Sequence, residues 1–374
     1  MLSFKQYLQE QKELIEEGGN VTITSTKGEK KEAQRLDLTK NDRTKFAKII
    51  KDGLEKFNKA NGIWSKQLFD SNKFLSGSAF HFFDKSIPDT KFKTIKPTVG
   101  DIDCQADESK TEEIQKILDA SIDKQYGNLE LIGYKKSAGQ FITLWGILEN
   151  GNYIHNIQID FELVPFENGF PTEWAQFSHS SSMEDLAYKI KGVFAKKLYS
   201  ALTAKNLKDI DVIKTSRGKE SIETKKSTQL AFAVTHGLRE KYKTVERDGK
   251  QVYQEVPVKD SKYIQNINEM LNKLFDLPDN HKFTATELKD AGSFVGTIKL
   301  IKKYATKEEQ QNIFNGFLNS LVLKGAQRLY KGKESADEDR KEKFTAIDYM
   351  SKELGTKIPE NLKSEIEQYY NDYV

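Results

Sequence analysis

Three consecutive apolar runs in the first half of the chain constrain its fold more than any other feature of the sequence. They cover Leu129–Tyr134, Phe141–Leu148 and Tyr153–Val164, and each has the length and the β-branched or aromatic content of a strand. Asn150-Gly151 separates the last two runs, and this dipeptide favours the two-residue turn of a β-hairpin. The sequence therefore predicts antiparallel strands in this region.

Helical patterns surround these strands. Apolar residues recur at helical spacing over about Asn41–Asn58 and Thr111–Lys124. Turn signals bound a small β-element over roughly Asp211–Val256, and beyond about Ser261 the pattern is helical, with a long helix at Thr306–Tyr330. These features indicate an α+β fold, in which a mixed sheet with flanking helices precedes a mainly helical C-terminal part with a small β-element.

The length of the chain, 374 residues, is sufficient for two or three domains with separate cores. An amphipathic helical pattern covers Met1–Glu17, and the polar residues from Asn20 to Arg35 are typical of a linker. The predicted segments are an N-terminal helix and linker at 1–35, a mixed-sheet domain at 36–170, a helix plus small β-element at 171–260, and a helical C-terminal domain at 261–374.

Composition excludes several classes of protein. Charged residues make up 31% of the chain and hydrophobic residues 37%, which is typical of a globular rather than a disordered protein. The 59 basic and 56 acidic residues nearly cancel, so the net charge of +3 gives no indication of nucleic-acid binding. The sequence contains neither an apolar run long enough to span a membrane nor a secretory signal, which predicts a cytoplasmic location.

Cysteine and histidine are sparse. Cys104 is the only cysteine, which excludes an intrachain disulfide and argues against a zinc–thiolate site. The five histidines form no His-x-x-x-His pair, so we expect each of them to be a structural or surface residue.

Residues that suggest chemistry concentrate in one turn and two predicted strands. A turn at Gly77-Ser78 follows a short apolar run and can present N–H groups and a hydroxyl to phosphate oxygens. Asp101 and Asp103 occupy positions i and i+2 of a predicted strand, so both side chains point to one face. Asp160, on another strand, supplies a third carboxylate for a hard cation such as Mg²⁺. This combination is typical of enzymes that transfer a nucleotide from a triphosphate to an acceptor.

A bare Asp-x-Asp motif has little weight in a chain with 56 acidic residues, and the sequence context distinguishes its two copies. The second copy, at 209–211, has neither a preceding Gly-Ser turn nor a following acidic strand, so we interpret it as solvated. The copy that begins at Asp101 has both. Glu162 points to the same face as Asp160 and is a candidate auxiliary ligand, with an ordinary surface carboxylate as the alternative.

The turn, the paired aspartates and Asp160 together resemble the active-site motifs of the nucleotidyltransferase superfamily. This superfamily includes DNA polymerase beta, poly(A) polymerases, CCA-adding enzymes and aminoglycoside nucleotidyltransferases. The resemblance covers roughly Phe74 to Val164, about a quarter of the chain. The separation between Ser78 and Asp101 is longer than is usual in the family, and we interpret the excess, Asp84–Thr98, as an inserted lysine-rich loop.

The resemblance implies a nucleotidyltransferase-like catalytic domain and a role for each motif residue. Gly77 and Ser78 would bind the phosphates of an NTP, with ATP favoured. Asp101 and Asp103 would bridge two Mg²⁺ ions, for which Mn²⁺ is an alternative. Asp160 would hold the ion that activates the acceptor hydroxyl, and pyrophosphate would leave. The three aspartates are thus both the metal ligands and the catalytic residues that the resemblance implies.

A run of lysines follows the predicted catalytic domain. By the same resemblance, it would bind the triphosphate, through Lys191 and Lys196, or an RNA or DNA acceptor. Interspersed acidic residues leave the alternative of a solvated face open. The basic residues are Lys191, Lys196, Lys197, Lys205, Lys208, Lys214, Arg217, Lys219, Lys225 and Lys226.

The first ten residues, Met1–Glu10, resemble the short leader of internal head proteins of large tailed bacteriophages. Such leaders are trimmed after a Leu/Ile-x-Glu triplet, which Leu8-Gln9-Glu10 fits. The alternative is an ordinary amphipathic helix packed on the body of the protein. The leader would imply a bacteriophage enzyme that is packaged in the virion and acts in the host cytoplasm.

The sequence therefore favours a Mg²⁺-dependent nucleotidyltransferase whose acceptor is a nucleic-acid 3′ end. A protein or a small molecule is the alternative acceptor. A hypothesis of another class is a non-catalytic nucleic-acid-binding or virion internal protein on the same scaffold. Base preference and oligomeric state stay open.

Overall fold

The structure of the chain, a computed structural model, describes residues 21–69, 73–137, 139–190, 192–216, 219–322, 333–360 and 364. The leader resemblance at Met1–Glu10 lies outside these residues, as does Lys191. The described chain forms two compact units, with the boundary between Met183 and Glu184. The division into four segments, which is finer, stays a prediction.

The first unit is built on a five-stranded mixed sheet in the strand order β5-β9-β8-β7-β6. Strands β5 and β9 are parallel, and the other pairs are antiparallel. The elements of this unit are β1 (Thr22–Thr24), β2 (Lys30–Glu32), β3 (Leu36–Asp37), α1 (Arg43–Asn61), α2 (Ala79–Phe83), α3 (Asp89–Ile95), β4 (Thr98–Val99), β5 (Asp101–Asp107), α4 (Thr111–Ser121), β6 (Gln125–Tyr126), β7 (Leu129–Ser137), β8 (Gln140–Glu149), β9 (Asn152–Val164), β10 (Phe166–Glu167), β11 (Phe170–Pro171) and α5 (Glu173–Ser178).

The strands predicted from apolar runs are confirmed as β7, β8 and β9. The hairpin between β8 and β9 turns at Asn150 and Gly151, whose φ angles of 52° and 79° are those of a two-residue turn with two left-handed residues. The unit is therefore an α+β structure with a mixed sheet, as the sequence predicts.

Helix α1 packs its apolar face against the sheet. It begins after Asp42, whose side chain accepts hydrogen bonds from two backbone N–H groups of the first turn, and it ends at the left-handed Gly62. Phe57 of this helix makes edge contacts with Trp145, its rings 5.2 Å apart at their centroids. Because Trp145 and Phe161 are fully buried, this cluster forms the core that supports β9.

The residues predicted to be a linker, Asn20–Arg35, instead form structure from Val21 onwards, and that prediction is wrong. They contain the antiparallel hairpin of β1 and β2. Val21 and Ile23, at alternate positions, face the sheet and are buried in a cluster with Ile132 and Leu144 of β7 and β8. Although most residues of this stretch are polar, its apolar residues share one face, and this face packs on the sheet.

The inserted segment Asp84–Thr98 is also more ordered than the predicted loop, since it contains helix α3. Pro88 immediately precedes this helix and Pro97 follows its end, so the prolines bound a helix rather than prevent one. Arg43 holds the segment: its side chain is 4% exposed and lies over the ring of Phe92. Its guanidinium donates hydrogen bonds to the carbonyl groups of His81, Phe82, Asp84 and Ile87 and to the carboxylate of Asp89.

The second unit combines helices with a small β-element, as predicted. Its β-element is a four-stranded sheet in the order β13-β12-β17-β16, accompanied by the hairpin of β14 and β15. The elements from the unit boundary onwards are α6 (Met183–Ala187), α7 (Gly192–Leu202), β12 (Lys208–Ser216), β13 (Lys219–Ser227), β14 (Leu230–Ala233), β15 (Gly237–Glu240), β16 (Tyr242–Arg247), β17 (Lys250–Glu255), α8 (Ile267–Phe275), α9 (Ala285–Ala291), α10 (Phe294–Tyr304), α11 (Lys307–Val322) and α12 (Lys333–Leu354).

Within the residues that the structure covers, no helix has both the length and the apolar character needed to cross a bilayer. Helix α12 extends over 22 residues but carries charged residues along its length. The long helix predicted at Thr306–Tyr330 corresponds to α11, and residues 323–330 lie outside the described part of the chain.

The hydrogen bonds of Glu287 contribute to the packing of the second unit, and their contribution can be tested by mutation. It forms a capping box with Thr284 and also accepts hydrogen bonds from Lys303 Nζ at 2.6 Å and Tyr304 Oη at 2.7 Å. The bond from Lys303, followed by those from Thr284 and Tyr304, lowers the pKa of Glu287 to about 2. Because the folded pKa lies below the unfolded one, its stabilising contribution is present above pH 4.5 and is lost as the pH falls towards 2.

We expect Glu287→Gln to lower the free energy of unfolding by about 1–3 kcal/mol at pH 7. The difference from the wild type should persist when urea denaturation is repeated at pH 5 and should shrink at pH 3. Glu223→Gln is the matched control, since Glu223 pairs with Lys214 on an exposed strand and should change stability by less than about 0.5 kcal/mol. Equal effects of the two substitutions would contradict the prediction.

Candidate metal centre

The parallel pairing of β5 and β9 brings the predicted acidic residues together. On β5, Asp101 and Asp103 share one face, while Ile102 and Cys104 are buried on the other. The register places Asp103 directly opposite Asp160 of β9. The prediction that Asp160 lies on a strand beside the Asp-x-Asp motif is therefore confirmed.

The three carboxylates converge closely enough to share a cation. One oxygen from each of Asp101, Asp103 and Asp160 lies within 4.8 Å of the other two. Oxygen ligands of Mg²⁺ or Ca²⁺ lie about 2.0–2.6 Å from the ion, so two ligands of one ion are at most about 5 Å apart. In the described part of the chain, this is the group of three acidic, histidine or cysteine residues that meets such a spacing.

Burial makes the ionised form of these carboxylates energetically unfavourable. Asp160 is 5% exposed, and burial raises its pKa well above the usual range, with a further contribution from the charge of Asp101. Burial also raises the pKa of Asp103, followed by the charges of Asp101, Glu162 and Asp160. Burial raises the pKa of Asp101, against a lowering contribution from Lys96. A bound cation would offset this repulsion, so the residues present fit a metal ion.

Gln158 fixes the orientation of Asp160. Its side-chain Nε2 donates hydrogen bonds to both carboxylate oxygens of Asp160, at 3.1 and 2.9 Å. The Oε1 atom of Gln158 accepts a hydrogen bond from the backbone N–H of Val21 at 3.3 Å. The hairpin that covers the sheet therefore supports a ligand of the candidate metal centre through one intervening side chain.

The segment that leads to the Gly-Ser turn lies along the edge of β5. Leu75 forms an antiparallel bridge with Cys104, and the N–H of Ser76 donates to the carbonyl of Asp103 at 3.1 Å. The N–H of Gln105 donates to the carbonyl of Phe74 at 2.6 Å. This pairing sets the Gly-Ser turn directly beside the acidic cluster, although the two motifs are separated in sequence.

Gly77 is required at the closest point of this approach. Its φ is +54°, and a Cβ atom built on it would lie 2.6 Å from Oδ2 of Asp103. The N–H of Gly77 donates to the carbonyl of His179 at 2.9 Å. The amide of Gly77 is therefore used within the protein, and the hydroxyl of Ser78 is the group of the turn that contacts another side chain of the site.

That neighbouring side chain is Lys96, at the end of α3. Its Nζ donates a hydrogen bond to Oγ of Ser78. Burial lowers the pKa of Lys96, whereas the charges of Asp101 and Asp103 raise it. From the sequence, Lys96 is expected in an inserted loop and has no predicted role, because its contact with Ser78 depends on the ordered path of the inserted segment.

Another residue of the site, His179, was missed in the same way, and it contacts Glu162. Oε2 of Glu162 accepts hydrogen bonds from Oγ of Ser76 at 2.5 Å and lies 2.9 Å from Nδ1 of His179. His179 thus contacts the Gly-Ser turn through its carbonyl and Glu162 through its ring. No local motif marks His179 in the sequence, and Glu162 supports the turn rather than standing as a surface carboxylate.

Lys196 is buried inside the second unit. It lies on α7, is 2% exposed, and its Nζ is 3.4 Å from the carbonyl oxygen of Gly292. Burial lowers its pKa to about 7, against a raising contribution from Asp185. These are structural contacts, and the role of Lys196 in nucleotide binding stays a prediction. Lys191, its partner in that prediction, lies outside the described residues.

The second Asp-Ile-Asp copy has a different environment. Asp209 and Asp211 lie on the exposed side of β12, and Oδ1 of Asp211 accepts a hydrogen bond from Thr224 at 2.5 Å. They are therefore solvated, as the sequence context predicts, and they provide a matched control for the residues of the metal centre.

Comparisons with known proteins add no family assignment. No protein-family model matches the chain, and no curated protein matches it either. The resemblance to nucleotidyltransferases accordingly depends on the motif residues and on their geometry.

Asp103→Asn tests the metal centre. In EDTA at pH 8, the variant should be more stable than the wild type by about 1 kcal/mol or more, because one partly buried like charge is removed. Saturating Mg²⁺ or Mn²⁺ should raise the melting temperature of the wild type and leave that of the variant nearly unchanged. Asp209→Asn should keep the wild-type response. A variant that responds to the cation as the wild type does would contradict the assignment.

Gly77→Ala tests the close approach of the turn to Asp103. The added Cβ must displace the Asp103 carboxylate, so both stability and the cation-dependent thermal shift should fall. Gly28→Ala is the control, since Gly28 has a similar positive φ of +78° and open space around the position of a Cβ. The control should lose about 1 kcal/mol of stability and keep the cation response. Loss of the response in both variants would refute the specific role of Gly77.

Proposed function

We propose that the first unit is a divalent-cation-dependent nucleotidyltransferase. It would move a nucleoside monophosphate from an NTP, with ATP favoured, to an acceptor hydroxyl. The observation that carries this proposal is the convergence of Asp101, Asp103 and Asp160 beside a Gly-Ser turn that passes so close to Asp103 that a Cβ at Gly77 would clash with it. The same motif residues carry the resemblance to the nucleotidyltransferase superfamily.

The chemistry of the ligands favours Mg²⁺, with Mn²⁺ as the alternative. All three side chains offer carboxylate oxygens, which are the ligands that hard cations prefer. Cys104 is buried among the apolar residues of the opposite face of β5 and does not compete as a soft ligand. Two ions bound here would neutralise the triphosphate and lower the pKa of the acceptor hydroxyl.

The residues of the chain would position the reactants. Ser78 would bind the terminal phosphates, and Glu162 and His179 would hold the turn in place through Ser76 and Gly77. The acceptor oxygen would form a bond to the α-phosphorus while the bond to the bridging oxygen breaks. Pyrophosphate would leave with that electron pair, and the hydroxyl proton would pass to solvent. Loss of one carboxylate would remove several kcal/mol of transition-state stabilisation.

A nucleic-acid 3′ end is the acceptor that we favour. Exposed basic residues on β13 of the second unit, Lys219 among them, support this choice, because lysines bind phosphate backbones without sequence preference. A protein or small-molecule hydroxyl is the alternative acceptor. A non-catalytic binding or virion protein is the alternative class, and the complete acidic set argues against it, since a binding role does not need three converging carboxylates.

The test is incubation with each NTP labelled at the α-phosphate, in parallel with NTP labelled at the γ-phosphate, in Mg²⁺ and a cell lysate. The α-label should enter one fraction of RNA, DNA, protein or metabolites, and the γ-label should appear in pyrophosphate. Asp101→Ala should reduce the transfer at least a hundredfold, whereas Asp209→Ala should retain it. Transfer of the γ-label, or α-label incorporation that survives Asp101→Ala, would refute the proposed mechanism.

A further inference from the structure

The inserted segment Asp84–Thr98 places Lys96 beside the Gly-Ser turn of the candidate metal centre. Arg43 fixes the path of the segment through its hydrogen bonds to the carbonyl groups of Asp84 and Ile87 and to the carboxylate of Asp89. Helix α3 then ends at Lys96, whose N–H donates to the carbonyl of Phe92 at 2.7 Å. The backbone of Lys96 is therefore held in place, and the direction of its side chain follows from ordered structure.

The ammonium group of Lys96 lies between two kinds of partner. On one side it donates a hydrogen bond to Oγ of Ser78, in the turn that would bind phosphates. The negative charges of Asp101 and Asp103 also act on it and raise its pKa. The same turn approaches Asp103 at Gly77, the residue before Ser78. Arg35, which is exposed, is a further cation in this neighbourhood. A single cation thus contacts the candidate phosphate-binding turn and lies within the electrostatic influence of the candidate metal ligands.

Building on the proposed function, we propose that Lys96 is a triphosphate-binding residue that also serves as the resident cation of the metal-free site. Without metal, its ammonium group offsets part of the charge of Asp101 and Asp103. When divalent cations offset that charge instead, the ammonium group binds the terminal phosphates of the NTP beside Ser78. A compact ammonium charge suits phosphate oxygens, and its flexible stem permits the exchange of partners.

This dual role predicts effects of opposite sign for one substitution. In Lys96→Met, Mg²⁺ without nucleotide should bind several-fold more tightly, because a competing cation is removed. The Mg²⁺ complex of a non-hydrolysable NTP analogue should bind at least tenfold more weakly, because a charged hydrogen bond to phosphate is lost. The Mg²⁺ complex of the nucleoside monophosphate, which lacks the terminal phosphates, should change by less than threefold. Calorimetry and thermal shift measure all three affinities without turnover.

Three further variants complete the experiment. Lys96→Arg keeps the charge and should keep both affinities within a few-fold of the wild type. Lys91→Met removes an exposed lysine of the same helix and should change neither affinity. Lys96→Gln carries the same predictions as Lys96→Met and replaces it if the methionine variant does not fold.

The outcomes separate this inference from the proposed function. If the wild type binds Mg²⁺ and the NTP analogue while Lys96→Met binds both as tightly, the role of Lys96 is refuted and the proposed function stands. If Lys96→Met weakens both affinities in parallel with a loss of stability, Lys96 is a structural residue and the inference is overturned. If the wild type itself binds no NTP analogue in Mg²⁺, the proposed function fails first.

Discussion

The parallel pairing of β5 with β9 is the interaction on which the rest of the first unit depends. It sets Asp103 opposite Asp160 and buries Ile102 and Cys104 on the reverse face. A shift of the register by one residue would turn the carboxylates of one strand towards the apolar core, so burial of that core fixes the acidic site. The other edge of β5 receives the segment that ends in Gly77, which brings the turn to the same point.

The pairing creates an electrostatic strain that the neighbouring residues partly relieve. Three carboxylates converge, of which Asp160 is buried and Asp101 and Asp103 are partly buried, and their pKa values rise as a result. Gln158 donates two hydrogen bonds to Asp160, and Lys96 supplies a positive charge beside Asp101 and Asp103. A site that served stability alone would replace these acids with neutral residues. Their concentration here is typical of sites where function outweighs local stability.

Features set by local pattern were predictable from the sequence. Alternation along β5 and β9, the Asn150-Gly151 turn and the spacing of Asp101 and Asp103 depend only on residues close in sequence. The contacts of His179 with Glu162 and of Lys96 with Ser78 were not predictable, because they join residues that the tertiary structure alone brings together. The ordered structure of residues 21–35 was not predicted for a related reason. The apolar face of this stretch is short, and it can be recognised only together with the sheet that it covers.

The inserted segment makes the spacing between the Gly-Ser turn and Asp101 longer than is usual in the nucleotidyltransferase superfamily, yet it adds a residue to the site instead of disrupting it. Counted along the chain, Asp84–Thr98 lengthens the path between Ser78 and Asp101, and such extra length could simply extend away from the protein. The buried guanidinium of Arg43 prevents this, because three of its hydrogen bonds, to Asp84, Ile87 and Asp89, tie the segment to the first turn of α1. The additional residues therefore return to the acidic cluster with Lys96 at their end, so that the added length carries a positive charge to the place where negative charge is most concentrated.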